Sequence, residues 1–227
     1  MTSSESISAA VIARLPKYLR YLGDLKDRGI ERISSKELSE LMDVTASQIR
    51  QDLNHFGGFG QQGYGYNVDH LYEEISQILG LNKPHRLVIV GAGHLGMALA
   101  GYTYFERRGF QVLGIFDVNP EKFGMPIRGL KVKPMEELSD FIRREAVDIA
   151  VLTVPRDSAV TVAKQLSGAG VKAILNFAHV DLDLPKSMPV QNVHLSDSLM
   201  KLSYELTLKE KPKGDGASGS WGFEHER

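Results

Sequence analysis

Three glycines in one short stretch have the spacing of a nucleotide-binding turn. Gly91, Gly93 and Gly96 follow the apolar run 87–90 in the order G-x-G-x-x-G. This spacing permits a tight turn, close approach of the backbone to a pyrophosphate, and close packing of a helix on a strand. The first amides of the following helix would then face the diphosphate. We expect the whole turn to hold it: Gly91, Ala92, Gly93, His94, Leu95 and Gly96.

A carboxylate follows the glycines at the distance expected for ribose recognition. Asp117 closes a second apolar run, 112–116, and an acid about 20 residues after such a turn accepts hydrogen bonds from the ribose hydroxyls. This placement favours NAD(H) over NADP(H). The alternative is a tight turn that holds no ligand. His94 lies either near the phosphates or in solvent, and it needs no catalytic role.

The spacing of apolar residues predicts the elements that would position these groups. Beyond the strand 87–90, the pattern predicts helices at 97–108, 136–145 and 158–166, an irregular segment or hairpin at 127–132, strands at 112–116, 148–154, 171–177 and 190–195, and a last helix with leucines at 195, 199, 202 and 206. Strands alternate with helices throughout. The pattern therefore predicts an α/β fold with a doubly wound parallel sheet, the Rossmann type.

The first 82 residues have a different, mainly helical pattern. We expect a short helical turn at 9–15, a longer helix from Pro16 to the stop at Gly29, and a fourth helix capped by Asp69. Between them, Ser34 with Glu37 and Thr45 with Gln48 have the spacing of capping boxes. The second helix would have Leu38, Leu41 and Met42 on its apolar face; the third would have Ile49, Leu53 and Phe56 and end at 57–58.

Two short capped helices separated by a tight turn indicate a helix-turn-helix. The glycine-punctuated segment 59–66 favours a hairpin, which would make the domain a winged helix. The candidate DNA contacts are Arg14, Lys17, Ser47, Gln48, Arg50, Gln51, Asn54, Gln62, Gly63, Tyr64, Gly65 and Tyr66. A helical dimerisation domain with a solvated polar face is the alternative, because residues 1–80 contain eight Lys and Arg against eleven Asp and Glu.

Composition limits the remaining possibilities. The 227 residues contain no cysteine and have a formal net charge of −1, so disulfides, thiolate metal sites and thiol catalysis are excluded. Neither a secretion leader nor an apolar run of about 18 residues is present, which indicates a soluble cytoplasmic protein. We predict domains at 1–82, 83–195 and 196–208, followed by a disordered tail at 209–227, and we predict neither a metal site nor catalytic residues.

Five segments together resemble the Rex family of bacterial redox-sensing transcriptional repressors. They are Arg-Leu-Pro-Lys-Tyr-Leu-Arg at 14–20, Ser-Gln-Ile-Arg-Gln-Asp-Leu at 47–53, Phe-Gly-Gly-Phe-Gly-Gln-Gln-Gly-Tyr-Gly-Tyr at 56–66, Gly-Ala-Gly-His-Leu-Gly at 91–96 and Leu-Thr-Val-Pro at 152–155. The resemblance implies a homodimer whose winged helices bind an inverted-repeat operator and release it when NADH binds. It also implies that Arg50 and the wing contact DNA.

The resemblance assigns further roles around the nucleotide. It implies that the turn 91–96 and Asp117 bind NADH or NAD⁺, with Val154, Pro155, Phe177 and Ala178 near the nicotinamide. We expect Tyr102, on the helix behind the turn, to distinguish the two redox forms. The leucines of the last helix would be buried against a partner subunit, as the swapped C-terminal helix of the family implies, although packing on its own domain is the alternative.

Three positions depart from the family pattern. Gln51 stands where members often have Lys or Arg, His194 where many have an acid, and His179 where Pro is common after Phe-Ala. Two other functions stay open at this point. An NAD-dependent dehydrogenase would use His179 or His194 as the acid or base, although the chain has no Tyr-x-x-x-Lys pair and no separate substrate domain. A Rossmann module that binds coenzyme A is the second.

Overall fold

The computed structural model describes residues 8–56, 60–61 and 64–210. Within that part no helix is long and apolar enough to cross a membrane. The helices are α1 (Ala9–Asp27), α2 (Ser35–Met42), α3 (Ala46–Asn54), α4 (Val68–Ile78), α5 (His94–Ala100), α6 (Tyr104–Arg107), α7 (Leu138–Glu145), α8 (Arg156–Ala169) and α9 (Leu195–Glu210). The predicted tail at 209–227 lies almost entirely outside the described residues.

The strands form two sheets. They are β1 (Arg32–Ile33), β2 (Gly60–Gln61), β3 (Gly65–Asn67), β4 (His85–Val90), β5 (Phe110–Asp117), β6 (Pro126–Ile127), β7 (Leu130–Pro134), β8 (Ile149–Leu152), β9 (Ala173–Asn176) and β10 (Val190–Asn192). Short 3₁₀ turns occupy Pro120–Lys122 and Met135–Glu137. The predicted strands are therefore present, and so are the predicted helices except near Pro16 and in the run 97–108; the ends differ by a few residues because frayed ends have no distinct sequence signal.

The chain divides into two compact units. The first comprises Met1–Leu87 with Gly101–Leu113, and the second comprises Val88–Ala100 with Gly114–Arg227. The sequence predicts a boundary at 82/83, and the structure differs in returning 101–113 to the first unit. Arg108 explains part of this return, because its guanidinium lies 3.4 Å from the hydroxyl of Tyr72 on α4.

The first unit has one apolar core built from α1 to α4. Its fully buried members include Leu15, Tyr18, Leu22, Leu38, Met42, Ile49, Leu53, Val68, Leu71 and Ile75. The predicted apolar faces of the helices supply these residues at helical spacing. Leu41 is the exception: it is 43% exposed, because Leu38 and Met42 already fill the buried face of this two-turn helix.

The predicted break at Pro16 is wrong, because α1 runs through it from Ala9 to Asp27. A proline inside a helix removes one hydrogen bond and crowds the carbonyl four residues earlier. Here Leu15, Tyr18 and Leu19 on both sides of the proline are buried in the same core. The packing of a single long helix outweighs the local cost of the proline. Gly29 stops the helix as predicted, with a positive φ of 71°.

Capping defines the two short helices that follow. Ser34 and Glu37 make both hydrogen bonds of the predicted capping box, and Asp43 in a left-handed conformation ends α2. Thr45 caps α3 by accepting from the amide of Gln48. The reciprocal bond of a box is absent, because the Gln48 side chain binds elsewhere. Helix α4 is capped by Asn67 and not by the predicted Asp69, whose carboxylate instead pairs with Lys26 at 2.8 Å.

The predicted wing is a small antiparallel sheet in the order β1-β3-β2. Gly65 is required there for two reasons. Its φ is +69°, and a Cβ would lie 2.6 Å from the carbonyl oxygen of Ile33 on the neighbouring strand. Gln62 and Gly63 at the predicted tip lie outside the described residues.

The second sheet has the order β10-β9-β8-β4-β5-β7-β6. The pairs β10–β9, β9–β8 and β5–β7 are parallel, and β6–β7 is an antiparallel hairpin. The strand order reverses its direction at β4, which is the switch point where doubly wound sheets bind ligands. The Rossmann prediction is confirmed, and the segment predicted as irregular or as a hairpin is a hairpin that extends the sheet.

One predicted helix is divided. The run 97–108 forms α5, which begins earlier at His94, and the separate short helix α6. Tyr102 between them packs on Tyr104 and Phe105, with ring centroids 5.5 Å and 5.3 Å apart. These aromatic side chains belong to the first unit, whereas α5 belongs to the second. A helical pattern of apolar residues cannot reveal that its two halves pack on different cores.

Candidate DNA interface and nucleotide site

The outer face of α3 presents the polar side chains that the sequence predicts. Ser47, Arg50, Gln51 and Asn54 are exposed, while Ile49 and Leu53 on the opposite face are buried. With His55 these four residues line a shallow depression of about 420 Å³. Hydroxyl, amide and guanidinium groups are the donors and acceptors that reach base edges and phosphates. This face has the chemistry of a recognition helix.

Two predicted contact residues are engaged within the unit instead. Arg14 on α1 makes a bidentate ion pair with Asp52 on α3, at 2.6 and 2.7 Å. The side-chain amide of Gln48 donates to the same carboxylate at 2.8 Å, and so does the hydroxyl of Tyr18, also at 2.8 Å. Asp52 is fully buried. In this arrangement, Arg14 and Tyr18 hold the recognition helix on α1. The bond from Gln48 to Asp52 lies within α3 itself.

The charge of Asp52 is maintained by these partners. Burial raises the pKa of the carboxyl, but the hydrogen bonds from Arg14, Gln48 and Tyr18 outweigh it and hold the pKa below its ordinary value of 3.8. Burial and the same carboxylate raise the pKa of Tyr18. Lys17, another predicted contact, donates to the carbonyl oxygen of Met42 at the end of α2. Three side chains of α1 thus fix the helix-turn-helix.

The two wing tyrosines have opposite environments. Tyr64 is 69% exposed, whereas Tyr66 is only 7% exposed and belongs to the core of the first unit. Tyr64 lies in the turn before β3, whereas Tyr66 is within the strand that pairs with β1 and β2. The ring of Tyr64 is available to a partner, and that of Tyr66 supports the wing from beneath.

Two of the three motif glycines are required by packing. Gly91 has a φ of +103°, and a Cβ there would lie 2.6 Å from the carbonyl oxygen of Thr153. A Cβ on Gly96 would collide with the carbonyl oxygen of Gly91. The hydroxyl of Thr153 lies 3.0 Å from the Val90 oxygen and 2.8 Å from the Gly91 oxygen. Helix α5, the turn and the end of β8 are therefore in close contact.

Gly93 is different. A Cβ at this position would meet no heavy atom within 4 Å, and its backbone does not have a positive φ. Neither packing nor conformation requires glycine here. In turns of this spacing, the second glycine is the position at which the backbone approaches a pyrophosphate.

Asp117 lies beneath the turn and is nearly buried. Its carboxylate accepts from the amide of Ala92 at 2.7 Å, from the amide of Asn119 at 2.8 Å and from the ammonium of Lys122 at 3.0 Å. Burial raises the pKa of the carboxyl, but the bonds from Asn119, Lys122 and Ala92 outweigh it and lower the pKa. Asp117 is thus an ionised group joined to the turn itself, and the sequence did not reveal the role of Lys122.

The remaining nucleotide-site predictions fall at the same edge of the sheet, with one exception. Backbone hydrogen bonds join the end of β4 to the ends of β5 and β8, and join Phe177 after β9 to Leu152. This brings Val154, Pro155, Phe177 and Ala178 to the carboxyl edge, where doubly wound sheets bind ligands. Tyr102 belongs to the first unit, and its assignment to the nicotinamide stays a prediction.

Two of the departures from the family pattern are neighbours in space. The Nδ1 atoms of His179 and His194 are 3.4 Å apart. A single buried side chain, Asn176, holds the backbone on either side of His179: it accepts from the amide of Ala178 and donates to the oxygen of Val180. The backbone carbonyl oxygen of Asn176 accepts a hydrogen bond from the backbone amide of Val193. Sequence reasoning named both histidines without relating them to each other.

A winged helix with a polar recognition helix, followed by a Rossmann sheet with an open glycine turn, defines a class of protein. It is the class of transcription regulators that carry a nucleotide-binding domain. Two family models match along the chain: "Putative DNA-binding protein N-terminus" over residues 6–54 and "CoA binding domain" over residues 82–180.

Curated relatives and solved structures are more specific. Redox-sensing transcriptional repressors Rex are similar over nearly their whole length: that of Thermoanaerobacter pseudethanolicus is 53% identical over 96% of this chain and 98% of its own, and that of Clostridioides difficile 54% over 90% and 97%. The crystal structure of RSP with β-NAD⁺ and operator DNA has a TM-score of 0.84, with 55% identity over 90% of this chain and 94% of that chain. RSP with β-NADH has a TM-score of 0.83, with 52% identity over 90% and 96%. This chain belongs to the Rex family of redox-sensing transcriptional repressors.

The buried ion pair predicts how stability depends on pH. Asp52→Asn should lower the free energy of unfolding near neutral pH by about 3 kcal/mol, the low end for a broken buried pair, because Arg14 keeps partial contact with water. The folded-state pKa of Asp52 is lowered, so its contribution is full above about pH 4 and is lost as the pH falls through that pKa. Denaturant unfolding between about pH 7 and pH 3 should therefore show the two proteins converging in acid.

Asp69→Asn is the matched control. It removes an exposed pair with Lys26, which should change the unfolding free energy by at most about 1 kcal/mol. A constant difference between Asp52→Asn and the unmodified protein at every pH would contradict the assignment of an ionised Asp52.

Proposed function

We propose that this chain is a repressor that binds an inverted-repeat operator as a homodimer and releases the operator when NADH binds. The recognition helix and wing would contact DNA, and the glycine turn would hold NADH or NAD⁺. Gly93 is the observation that carries the nucleotide assignment, because nothing within the protein requires a glycine there. The RSP structures, which contain β-NAD⁺ with operator DNA or β-NADH, support the same ligands for this chain.

The candidate DNA contacts that are exposed lie on the outer side of the first unit. Ser47, Arg50, Gln51 and Asn54 would face the major groove, and Tyr64 would lie at the wing. Arg14 would position α3 from behind through Asp52, and Lys17 would hold the end of α2 through Met42. Gln48 bonds to Asp52 within α3. Gln51 replaces a basic residue that is common in the family, so this side chain would form a neutral contact in place of an ion pair.

Asp117 accounts for the choice of nicotinamide cofactor. A ribose hydroxyl can donate to a carboxylate that remains ionised, whereas a 2′-phosphate at the same place would be repelled. We expect NADH to bind much better than NADPH. The ammonium of Lys122 already neutralises part of this charge, so the discrimination should be smaller than an unpaired acid would give.

The regulatory effect requires a difference in affinity between two states. NADH must bind the free form more tightly than the DNA-bound form, and the operator must weaken NADH binding by the same factor. Coupling of about 1–3 kcal/mol is common, and nearly complete release requires about 5.5 kcal/mol. NAD⁺ would occupy the same site with little release. We expect Phe177, Ala178 and Tyr102 to distinguish the two forms, because these differ only at the nicotinamide.

Helix α9 supports a homodimer. Its leucines at 195, 199, 202 and 206 lie on one face and Met200, Tyr204 and Leu208 on the opposite face, and all seven are at least 50% exposed. A helix with apolar side chains on two opposite faces is stable in water when both faces are buried against other protein surfaces. The first unit offers an open cavity of about 750 Å³ lined by residues such as Leu19, Leu81, Tyr102 and Phe110. The α9 helix of a partner subunit would fit such an apolar surface, as in the swapped arrangement expected of the family. We place the assembly in the cytoplasm.

Regulation by coenzyme A, or dehydrogenase activity, would contradict this proposal. The match of residues 82–180 to a CoA-binding model makes coenzyme A a necessary competitor in any binding measurement. Dehydrogenase activity would require an acid or base at the nicotinamide. The family consists of repressors, and no Tyr-x-x-x-Lys pair is present in the sequence.

The experiment that tests the proposal measures operator binding by fluorescence anisotropy at a fixed total of NADH and NAD⁺ while their ratio changes. Binding should weaken as the NADH fraction rises, and coenzyme A should have no effect. A flat response, with NADH shown to be bound by its own fluorescence, would show that the protein is not a redox sensor.

Arg50→Ala separates DNA recognition from nucleotide binding. The loss of a base contact should weaken operator binding by roughly 1–3 kcal/mol and leave NADH affinity unchanged. Arg50 also donates to Ser35 on α2 at 3.0 Å, so Ser35→Ala is the control that removes this bond and keeps the guanidinium. Equal losses in the two variants would assign Arg50 a role in positioning α2 instead of reading DNA.

Gly93→Ala should lower NADH affinity without destabilising the protein, whereas Gly96→Ala should destabilise the protein. The methyl group at position 93 enters open space within the protein, so thermal stability should remain within about 0.5 kcal/mol, while NADH affinity measured by calorimetry falls. The methyl group at position 96 meets the backbone of the turn and should destabilise by about 1–3 kcal/mol. Full NADH affinity in Gly93→Ala would remove the turn from the nucleotide site.

Charge on one face of α9 tests the dimer. Leu199→Glu together with Leu206→Glu should give monomers in sedimentation analysis, because two carboxylates would be buried without partners. Ser198→Glu, which adds a charge to the same helix outside both apolar faces, should leave the dimer intact. A double variant that remains dimeric would place the interface elsewhere.

A further inference from the structure

The side chains of His179 and His194 meet edge to edge in the second unit. Their ring centroids are 5.5 Å apart with an angle of 23° between the ring planes. This distance exceeds the 3.4 Å between the Nδ1 atoms by about two ring radii. The rings therefore do not stack face on face; each points its Nδ1 atom towards the other.

The separation of the two nitrogens fits a shared metal ion better than a direct hydrogen bond. Good N–H hydrogen bonds have heavy-atom distances of about 2.7–3.2 Å. Two nitrogens bound to one tetrahedral ion, each at about 2.0–2.1 Å, are roughly 3.3–3.4 Å apart. The observed 3.4 Å matches the edge of such a tetrahedron, so only small rotations of the rings would direct both lone pairs to one point.

The backbone that carries both histidines is fixed in advance. Asn176 bonds to the residues before and after His179, at 2.9 and 3.0 Å, and accepts from the residue before His194 at 2.8 Å. Its side chain also donates to Asn192 on β10 at 2.9 Å. Since Asn176 is fully buried, the two rings project from segments that share one rigid anchor. Binding an ion would order only the two imidazoles, which keeps the entropic cost small.

We propose that His179 and His194 form a bidentate site for a borderline divalent ion, with Zn²⁺ as the physiological candidate. Imidazole nitrogens suit Zn²⁺, Cu²⁺ and Ni²⁺, whereas Mg²⁺ and Ca²⁺ prefer oxygen ligands. The structure describes no group of three or more metal-ligating side chains in residues 8–56, 60–61 and 64–210. Water or a further donor would therefore complete the coordination. An ion held here joins the loop after β9 to the residue that directly precedes α9.

The site predicts one tight binding event per chain on the full-length protein. Zn²⁺ titrated alone in a calorimeter should bind with one-to-one stoichiometry, and His179→Ala or His194→Ala should each weaken binding at least about tenfold, since even changes around metal ligands cost about 10–100-fold. Zn²⁺ should also raise the melting temperature of the unmodified protein and of neither variant. His55→Ala and His70→Ala, which change exposed histidines of the first unit, should bind as the unmodified protein does.

Cu²⁺ identifies the ligands directly. Its electron paramagnetic resonance spectrum should show two coupled imidazole nitrogens in the unmodified protein and one in each single variant, with far-UV circular dichroism unchanged. Unaltered spectra in a variant that carries both His179→Ala and His194→Ala would assign the ion to other histidines and overturn the proposal. A dissociation constant weaker than about 1 mM for both Zn²⁺ and Cu²⁺ would overturn it as well.

Discussion

A buried polar side chain must find hydrogen-bond partners, and this requirement organises both candidate sites. Among the described residues, only Asp52, Asp117 and Asn176 are polar or charged side chains buried in the interior, and no buried polar side-chain atom there lacks a partner. Each one lies beneath an element with a proposed function. Asp52 holds the recognition helix, Asp117 the glycine turn, and Asn176 the loop after β9. Partly satisfied networks of this kind would be costly, so these three elements are each held in a single arrangement.

The balance between desolvation and hydrogen bonding decides the state of the two acids. In both carboxyls, burial is the largest single influence and raises the pKa, yet the combined bonds lower it. Both residues therefore remain ionised inside the protein. For Asp52 the charge is matched by Arg14 and serves structure. For Asp117 it is partly matched by Lys122 and lies beside the turn, where it would act on the ribose of a bound nucleotide.

Local signals in the sequence are sufficient to predict the helices, strands and turns, but they do not predict which side chains contact each other across the fold. The capping box at Ser34, the stop at Gly29 and the glycine turn could be predicted because each depends on residues within one or two turns of chain. The pairing of Arg14 with Asp52 spans 38 residues, and the pairing of His179 with His194 spans 15. No pattern in a single sequence relates such positions. The sequence named Arg14, His179 and His194 as candidates without indicating what they contact.

The same reasoning explains the errors. Pro16 was interpreted by its local preference, and tertiary packing on both sides of it reversed the outcome. The run 97–108 was interpreted as one helix because its apolar spacing is continuous, whereas its halves belong to different cores. Tyr64 and Tyr66 are both aromatic residues of the wing, but the structure exposes the first and buries the second in the core of the first unit; their contacts with DNA stay a prediction. For Pro16 and the run 97–108, a long-range contact outweighed a correct local preference.

The anchoring of α3 also limits how a nucleotide could control DNA binding. The recognition helix is attached to α1 by a buried charge pair with Arg14 and by a hydrogen bond from Tyr18 to the same carboxylate, so tilting α3 alone would leave Asp52 buried without its charged partner. That cost, several kcal/mol, equals or exceeds the coupling of about 1–3 kcal/mol that is usual between sites. A nucleotide that leaves the packing of α1 to α4 unchanged would avoid this cost. In a homodimer the quantity that changes would then be the separation of the two recognition helices, which must match half-sites about one DNA turn apart. Regulation would act through this spacing, and the contacts of each helix with its own half-site would stay the same.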